Sequence, residues 1–211
     1  MITPDRHLHC GERGVVLVSS LLMLLVVTIL AVAIFRNFGL GEKIAGNQRE
    51  KQRALHAAET AQQYAEWWLS SGTGVTTPVV CNAVIAAPAG QVCANTLPSV
   101  MPNQNVANLA WPAGVTYAPP NMQFNAAGGV NQYFQTPLFY ISYLGTTADS
   151  STSNFKLLYQ VDAVGYGGSQ NAVAVVESTY YVTSGVCDLG ALGGCPPGGK
   201  KGGRLTWIER R

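Results

Sequence analysis

The chain has 211 residues, of which 47% are hydrophobic and only 11% are charged, and its formal net charge is +2. The high hydrophobic fraction argues against a disordered chain. The small net charge argues against a nucleic-acid-binding protein, which needs a concentrated basic face. The charges are also uneven, because Asp149 is the only charged residue between positions 68 and 155. We therefore expect a charged helical segment, a neutral polar domain and a basic tail.

The first predicted element is an apolar run over residues 15–35, which holds no charge, proline or glycine. About 20 such residues cross a bilayer as a helix. A buried core helix is one alternative, but the run has no polar stripe. A cleavable secretory signal is another, but the run is too long and is followed by Arg36 instead of a small-residue cleavage site. The run therefore predicts a permanent transmembrane helix.

An amphipathic helix is predicted next, over residues 36–71, with a stop at Gly72. Small apolar residues and one tryptophan recur at helical spacing along one face: Ala54, Ala57, Ala58, Ala61, Ala65 and Trp68. Because such a face lets another element approach closely, we expect a sheet to pack on it. The alternative is a helical stalk without a packing partner.

The segment 72–137 is predicted to be loop-rich, because it contains several prolines and little periodicity. Its aromatic residues stand among Asn and Gln: Trp111, Tyr117, Phe124, Tyr133 and Phe134. They form either an exposed recognition surface or the packed underside of a loop-rich insertion. The second interpretation is the more ordinary one.

Strands are predicted in the last part of the chain. Residues 138–144 and 172–183 are rich in Val, Tyr and Thr or other strand formers, and residues 155–163 alternate between apolar and polar. Residues 165–171 read as a turn-rich connector. In the tail, residues 196–203 read as a flexible linker and 204–208 as an edge strand or a solvated tail. Short connections favour an antiparallel meander covered by the alanine face, which is an α+β fold.

The cysteines indicate the compartment. Cys81, Cys93, Cys187 and Cys195 make an even number beyond the membrane segment, which predicts disulfides in an oxidising space. Of the three connectivities, we prefer local pairing, Cys81–Cys93 and Cys187–Cys195, because both pairs bracket loops rich in Gly, Pro and Ala. A zinc site fits poorly, since no C-x-x-C spacing occurs and this part of the chain has one histidine, His56.

The sequence predicts neither an enzyme nor a bound cofactor or metal. It contains no G-x-S-x-G, phosphate-binding loop or His/Cys cluster. Asp162 and Glu177 could be paired carboxylates, but charges on a solvated strand face are the ordinary interpretation of both. Residues 149–154 lack the spaced acids of a calcium loop.

Three segments carry a resemblance to a known family. They are RGVVLV with LLMLL at 13–18 and 21–25, GEKIAGN at 41–47, and RALHAAETA at 53–61. In order and spacing they resemble PilX-type minor pilins, a group of type IV prepilins. The resemblance implies the pilin fold, in which a long N-terminal helix, half in the membrane and half amphipathic, packs on an antiparallel β-sheet.

The resemblance also implies processing. A prepilin peptidase would cut between Gly14 and Val15, remove the leader that contains Cys10, and methylate the Val15 amine. The expected organisation is a leader (1–14), a transmembrane helix (15–35), an amphipathic helix (36–71), a loop-rich region (72–137), and a sheet with a C-terminal disulfide loop and basic tail (138–211).

One position departs from the family pattern. Most pilins carry Glu at the fifth mature position, which here is Ser19. That Glu is thought to pair with the N-terminal amine of the preceding subunit, and a buried amine is costly when unpaired. Ser19 therefore suits a subunit that enters first, with no neighbour ahead of it.

The implied function is a minor pilin that primes a type IV pilus or sits at its tip. A minor pseudopilin of a type II secretion system is the alternative, and a membrane-anchored periplasmic enzyme is less favoured. The implied partners are other minor pilins, the major pilin, the inner-membrane assembly platform and prepilin peptidase. A tip adhesin is a further candidate partner, and nucleic acid is not expected to be one. The implied location is the inner membrane, crossed once with the C-terminal domain in the periplasm, and then the pilus.

Overall fold

The structure of the chain is a computed structural model that describes residues 13–71, 77–102, 111–127, 131–148, 155–186 and 200–210. The chain divides into two compact units between Gly46 and Asn47. The elements, in chain order, are α1 (Arg13–Ser70), β1 (Val84–Ala86), α2 (Leu97–Val100), β2 (Gly114–Thr116), β3 (Leu138–Ala148), β4 (Phe155–Tyr166), β5 (Val173–Val186) and β6 (Lys200–Arg210).

In the N-terminal unit, α1 is an uninterrupted helix that continues through Gly39, Gly41 and Gly46. Among the described residues, α1 is the one helix that is long and apolar enough to cross a membrane, judged by length and composition alone. The run of apolar residues and the absence of proline explain its regularity, since glycine weakens a helix but does not break its hydrogen bonds.

The C-terminal unit, from Asn47 onward, contains a six-stranded sheet in the order β1-β2-β3-β4-β5-β6. Strands β2 to β6 pair antiparallel in sequence order, and β1 pairs parallel to β2. The predicted α+β layout, with a helix on a mostly antiparallel meander, is confirmed. Short connections between successive strands explain the order, because neighbours in sequence become neighbours in the sheet.

The alanine face of α1 packs on one face of this sheet, as predicted. Its six residues are all buried, with exposed fractions between 0% and 7%. Four of them, Ala58, Ala61, Ala65 and Trp68, join aromatic and branched residues from the central strands in one core cluster, which includes Phe139, Ile141, Tyr159 and Val161. The alternative of a helical stalk without a packing partner is therefore wrong for residues 54–68.

Two predicted boundaries are wrong. Gly165 and Tyr166 belong to β4, where they pair with Ala174 and Val173, and the turn begins only at Gly167. Residues 200–203 are part of β6. In both places glycine suggested a loop, but its missing side chain allows a strand to lie close to another element.

Candidate functional site

The first candidate surface is the apolar half of α1, residues 14–35. Its large apolar side chains, from Val15 to Phe35, are each between 48% and 76% exposed. An apolar surface of this extent is unstable in water and requires lipid or other apolar helices around it. This half of α1 can therefore act as a membrane anchor and as an assembly surface.

The predicted processing and assembly positions lie together at the start of this surface. Gly14, Val15 and Ser19 occupy the first turns of α1, and no atom approaches the Cβ position of Gly14 within 4 Å. The Ser19 hydroxyl donates to the Val16 carbonyl at 2.9 Å, and the Ser20 hydroxyl donates to Leu17 at the same distance. Such bonds satisfy a hydroxyl in an apolar environment but bring no negative charge.

Within the C-terminal unit, polar side chains fasten residues 47–70 of α1 to the rest of the unit. Glu50 accepts hydrogen bonds from the Gly168 amide and from Arg53, whose guanidinium also lies 4.7 Å from the centre of the Tyr133 ring. Burial acts to raise the pKa of Glu50, but the Gly168 amide and Arg53 outweigh it and lower the pKa. Because these groups bind at one end of the buried alanine face, they fix the position of the helix along the sheet.

Cys81 and Cys93 form a disulfide, the pairing expected for the first two cysteines. Both side chains are buried in a second core cluster on the other face of the sheet, with Leu97, Trp111 and Tyr140. The Cys93 amide donates to the Ile141 carbonyl at 2.7 Å, so the bridge ties the loop segment to β3. Cys187 and Cys195, and the segment 149–154, lie outside the described residues.

The aromatic residues of the loop-rich segment are largely packed. Trp111 is buried, Tyr117 stacks on Tyr64 of α1 with 4.1 Å between ring centres, and Phe134 lies against Tyr166. Phe124 and Tyr133 are half-buried and contact each other. These contacts favour the packed-insertion interpretation over an exposed recognition surface.

Asp162 and Glu177 lie together in the sheet. The sequence left open whether they are paired carboxylates or charges on a solvated strand face. They are directly opposite each other on β4 and β5, and Tyr140 of β3 lies opposite Asp162 on its other side. Asp162 is only 2% exposed, so its interpretation as a solvated-face charge is wrong. The Gln160 amide donates to its two oxygens at 3.2 and 3.0 Å, and Arg210 of β6 binds Glu177.

Burial raises the pKa of Asp162 to about 7, and the neighbouring Glu177 carboxylate raises it too, whereas Arg210 and Gln160 oppose the shift. The folded chain therefore holds a proton on Asp162 between about pH 4 and pH 7 that the unfolded chain has lost. This difference makes the contribution of Asp162 to stability fall as the pH rises through that window.

We predict that Asp162→Asn stabilises the chain by about 2 kcal/mol at pH 8 and by much less at pH 5. The neutral amide keeps an acceptor for Gln160 and can donate to Glu177. Thermal unfolding of the detergent-solubilised chain at several pH values would measure the difference between variant and parent. Glu42→Gln, a change at an exposed acid, is the control, and a difference that does not grow with pH would contradict the prediction.

Two functional features were not found from the sequence. One is the burial of Asp162, which lies between β3 and β5 on an inner strand of the sheet. The other is a set of contacts from α1 to β6, in which Glu66 binds Arg204 and Gln62 accepts from the Trp207 ring nitrogen at 3.0 Å. Residues so far apart in sequence give no local signal. Within the described ranges, no group of three His, Cys, Asp or Glu side chains could hold a metal ion.

Comparison with known families gives two matches. A model described as PilX N-terminal matches residues 13–62, and one described as type IV pilus assembly protein PilX C-term matches residues 53–182. Together they cover residues 13–182, which include all of α1 and the strands from β1 to most of β5. No curated protein and no solved structure matches the chain.

Proposed function

The chain belongs to the PilX family of type IV pilus assembly proteins and is a minor pilin, and on this premise we propose that it enters the filament first and occupies its tip. The family consists of structural components of pilus assembly, which agrees with the expectation of a protein that is not an enzyme. Before assembly the chain would be stored in the inner membrane, with its C-terminal unit in the periplasm.

The exposed apolar half of α1 supports this role. Lipid would cover it before assembly, and the apolar helices of neighbouring pilins would cover it afterwards. Because one apolar environment replaces the other, the free energy of leaving the bilayer is small. We also propose cleavage after Gly14 and methylation of Val15, since removal of the polar leader lets the N-terminus enter such a bundle.

Ser19 is the observation on which the tip position rests. A shaft subunit brings a carboxylate to the buried amine of the subunit before it, whereas Ser19 brings a hydroxyl whose hydrogen is donated to Val16. In mid-shaft this would leave a positive amine uncompensated in an apolar bundle, at a cost of a few kcal/mol, roughly. At the tip there is no preceding amine, and the next subunit can still pair the Val15 amine.

We predict that immunolabel on the native chain marks pilus ends, and that Ser19→Glu moves part of the label into the shaft. The added carboxylate would remove the penalty for mid-shaft positions. Ser20→Glu is the matched control, because it places the same charge about 100° further around the helix. Mass analysis of the same pili would show whether the chain begins at methylated Val15.

Label along the whole shaft at the abundance of the major pilin would contradict the tip position. Unchanged pilus numbers in a deletion strain would contradict the priming role. A chain that still begins at Met1 in assembled pili would contradict the proposed processing.

A further inference from the structure

Two adjacent tryptophans near the end of α1 have opposite environments. Trp68 is 7% exposed and packs against Gly90, where an added Cβ would lie 2.3 Å from the tryptophan ring. Trp67 is 54% exposed. A single exposed aromatic residue has no meaning by itself, because much of any protein surface is apolar. The groups that surround Trp67 decide whether its ring forms part of a site.

The Trp67 ring forms one wall of an aromatic corner, and Tyr64 forms the other. Their ring centres are 5.5 Å apart, and the ring planes are inclined at 40°. Tyr64 is itself held in place, because it stacks on Tyr117 with 4.1 Å between ring centres and lies against Phe139 of β3. A corner with one wall already fixed loses less conformational entropy when a ligand enters it.

A side-chain amide lies beside the corner. Gln63 precedes Trp67 by one helical turn, so the two side chains are neighbours on the surface of α1. Gln63 is exposed, and its amide has no hydrogen-bond partner among the described residues. An amide offers both donors and an acceptor. The corner therefore combines aromatic faces with an uncommitted polar group that can orient a ligand.

The surroundings of the corner are almost free of charge. Asp149 is the only charged residue between positions 68 and 155, so the segments that contain Gly90 and Tyr117 carry none. On α1, the Glu66 carboxylate accepts from Arg204 at 2.8 and 2.9 Å and is thereby compensated. A charged ligand would lose its water there without gaining an opposite charge. The corner therefore suits an uncharged ligand.

A partner helix does not fit this surface. Docking of an apolar helix needs apolar anchors repeated along one face, at spacings of three, four and seven residues. The exposed positions that precede Trp67 on the same face of α1 are Gln52, His56 and Gln63. Trp67 is thus an isolated ring among polar side chains, which is typical of a site for a small polar ligand.

We propose that the Trp67 corner binds an uncharged saccharide, with one sugar ring stacked on Trp67, bounded by Tyr64 and hydrogen-bonded to the Gln63 amide. The flat side of a sugar ring presents partly positive C–H groups, which the negative face of an aromatic ring attracts. The hydroxyls at its rim are neutral donors and acceptors that match an amide. This binding activity is additional to the structural role and does not depend on the position of the subunit in the pilus.

The test applies the full-length chain, in a detergent without a sugar headgroup such as dodecylphosphocholine, to an array of neutral oligosaccharides. One set ends in galactose or N-acetylgalactosamine, as glycans of animal cell surfaces do, and one set consists of glucose or N-acetylglucosamine polymers. The set that binds identifies the source. We expect binding to at least one neutral glycan, and at least about tenfold weaker binding when the same glycan ends in a sialic or uronic acid.

Two variants at position 67 separate ring stacking from general apolar contact. Trp67→Leu keeps an apolar side chain but removes the ring, and it should weaken binding at least about tenfold, the ratio that 1.4 kcal/mol produces. Trp67→Phe keeps an aromatic face and should retain most of the binding. Because the side chain is more than half exposed, both variants should fold like the parent, as thermal unfolding would show.

Gln63→Ala should also weaken binding about tenfold. Gln52→Ala is its matched control, because Gln52 is an exposed glutamine three turns earlier on the same helix, and it should bind like the parent.

Absence of binding to every neutral glycan, equal binding of the acidic forms, full binding by Trp67→Leu, or an equal loss in Gln52→Ala would each overturn the proposal. The measurement uses the purified chain and is independent of pilus assembly. Shaft-wide label would remove the tip position and leave this proposal standing, whereas tip label without glycan binding would do the reverse.

Discussion

Gly165→Ala is expected to destabilise the C-terminal unit by about 3 kcal/mol, the upper part of the range for overpacking a core. At Gly165, β4 lies directly against the backbone of α1. A Cβ added there would lie 2.2 Å from the Ala58 nitrogen and 2.3 Å from the Ala54 carbonyl oxygen. Both neighbours are backbone atoms of a helix, so neither can move aside as a flexible side chain can.

The effect would extend beyond one contact. To admit the methyl group, α1 would have to move away from the sheet, and Ala54, Ala57 and Ala58 would lose their buried positions. These are small residues that cannot fill a widened gap. A valine at 165 should therefore prevent stable folding of the unit.

Urea unfolding of the detergent-solubilised chain, followed by tryptophan fluorescence, would measure the change in the free energy of unfolding. Gly46→Ala is the matched control, because no atom lies within 4 Å of its Cβ position. Alanine there should be neutral or stabilising, since alanine favours a helix by up to about 1 kcal/mol over glycine. Equal effects of the two changes would contradict this account of the packing.

Cys93→Ala is expected to lower the free energy of unfolding by about 3 kcal/mol. The bridge to Cys81 closes a loop with a sequence separation of 12 residues, which limits the conformations of the unfolded chain. It also supports backbone bonds from Cys93 to Ile141 and from Tyr143 to Cys93, so its loss loosens the loop segment from β3. Removal of the sulfur atom would also leave a small cavity in the core, because Cys93 is almost fully buried.

Unfolding curves for Cys93→Ala, Cys81→Ala and the double variant would test this. The double variant should be no less stable than either single variant, because one bridge is lost in all three. Cys10→Ala, in the expected leader, should leave the curve of the processed chain unchanged. A Cys93→Ala variant as stable as the parent would show that the bridge contributes little.

Local patterns in the sequence were enough to predict the main helix, the fold class and the family of this protein. The uncharged run over residues 15–35 and the alanine spacing from Ala54 to Ala65 are properties of single segments, because burial on one face of a helix imposes its own period. The alternation in β4 and the family stretches before residue 62 are equally local. These patterns were sufficient to predict a candidate membrane helix, the α+β layout and the pilin family.

The tertiary structure decided what depends on contacts between distant segments. From the local sequence, the glycines at 165 and at 202–203 predicted loops. In the structure each of them lies in a strand, where the missing side chain makes room for a neighbouring element. The sequence pattern predicted a surface charge at Asp162, but in the folded sheet this residue is buried opposite Glu177. The position of β6 at the end of the described strands became visible only when the strand order was known, because that order is a property of the whole sheet and not of any one strand.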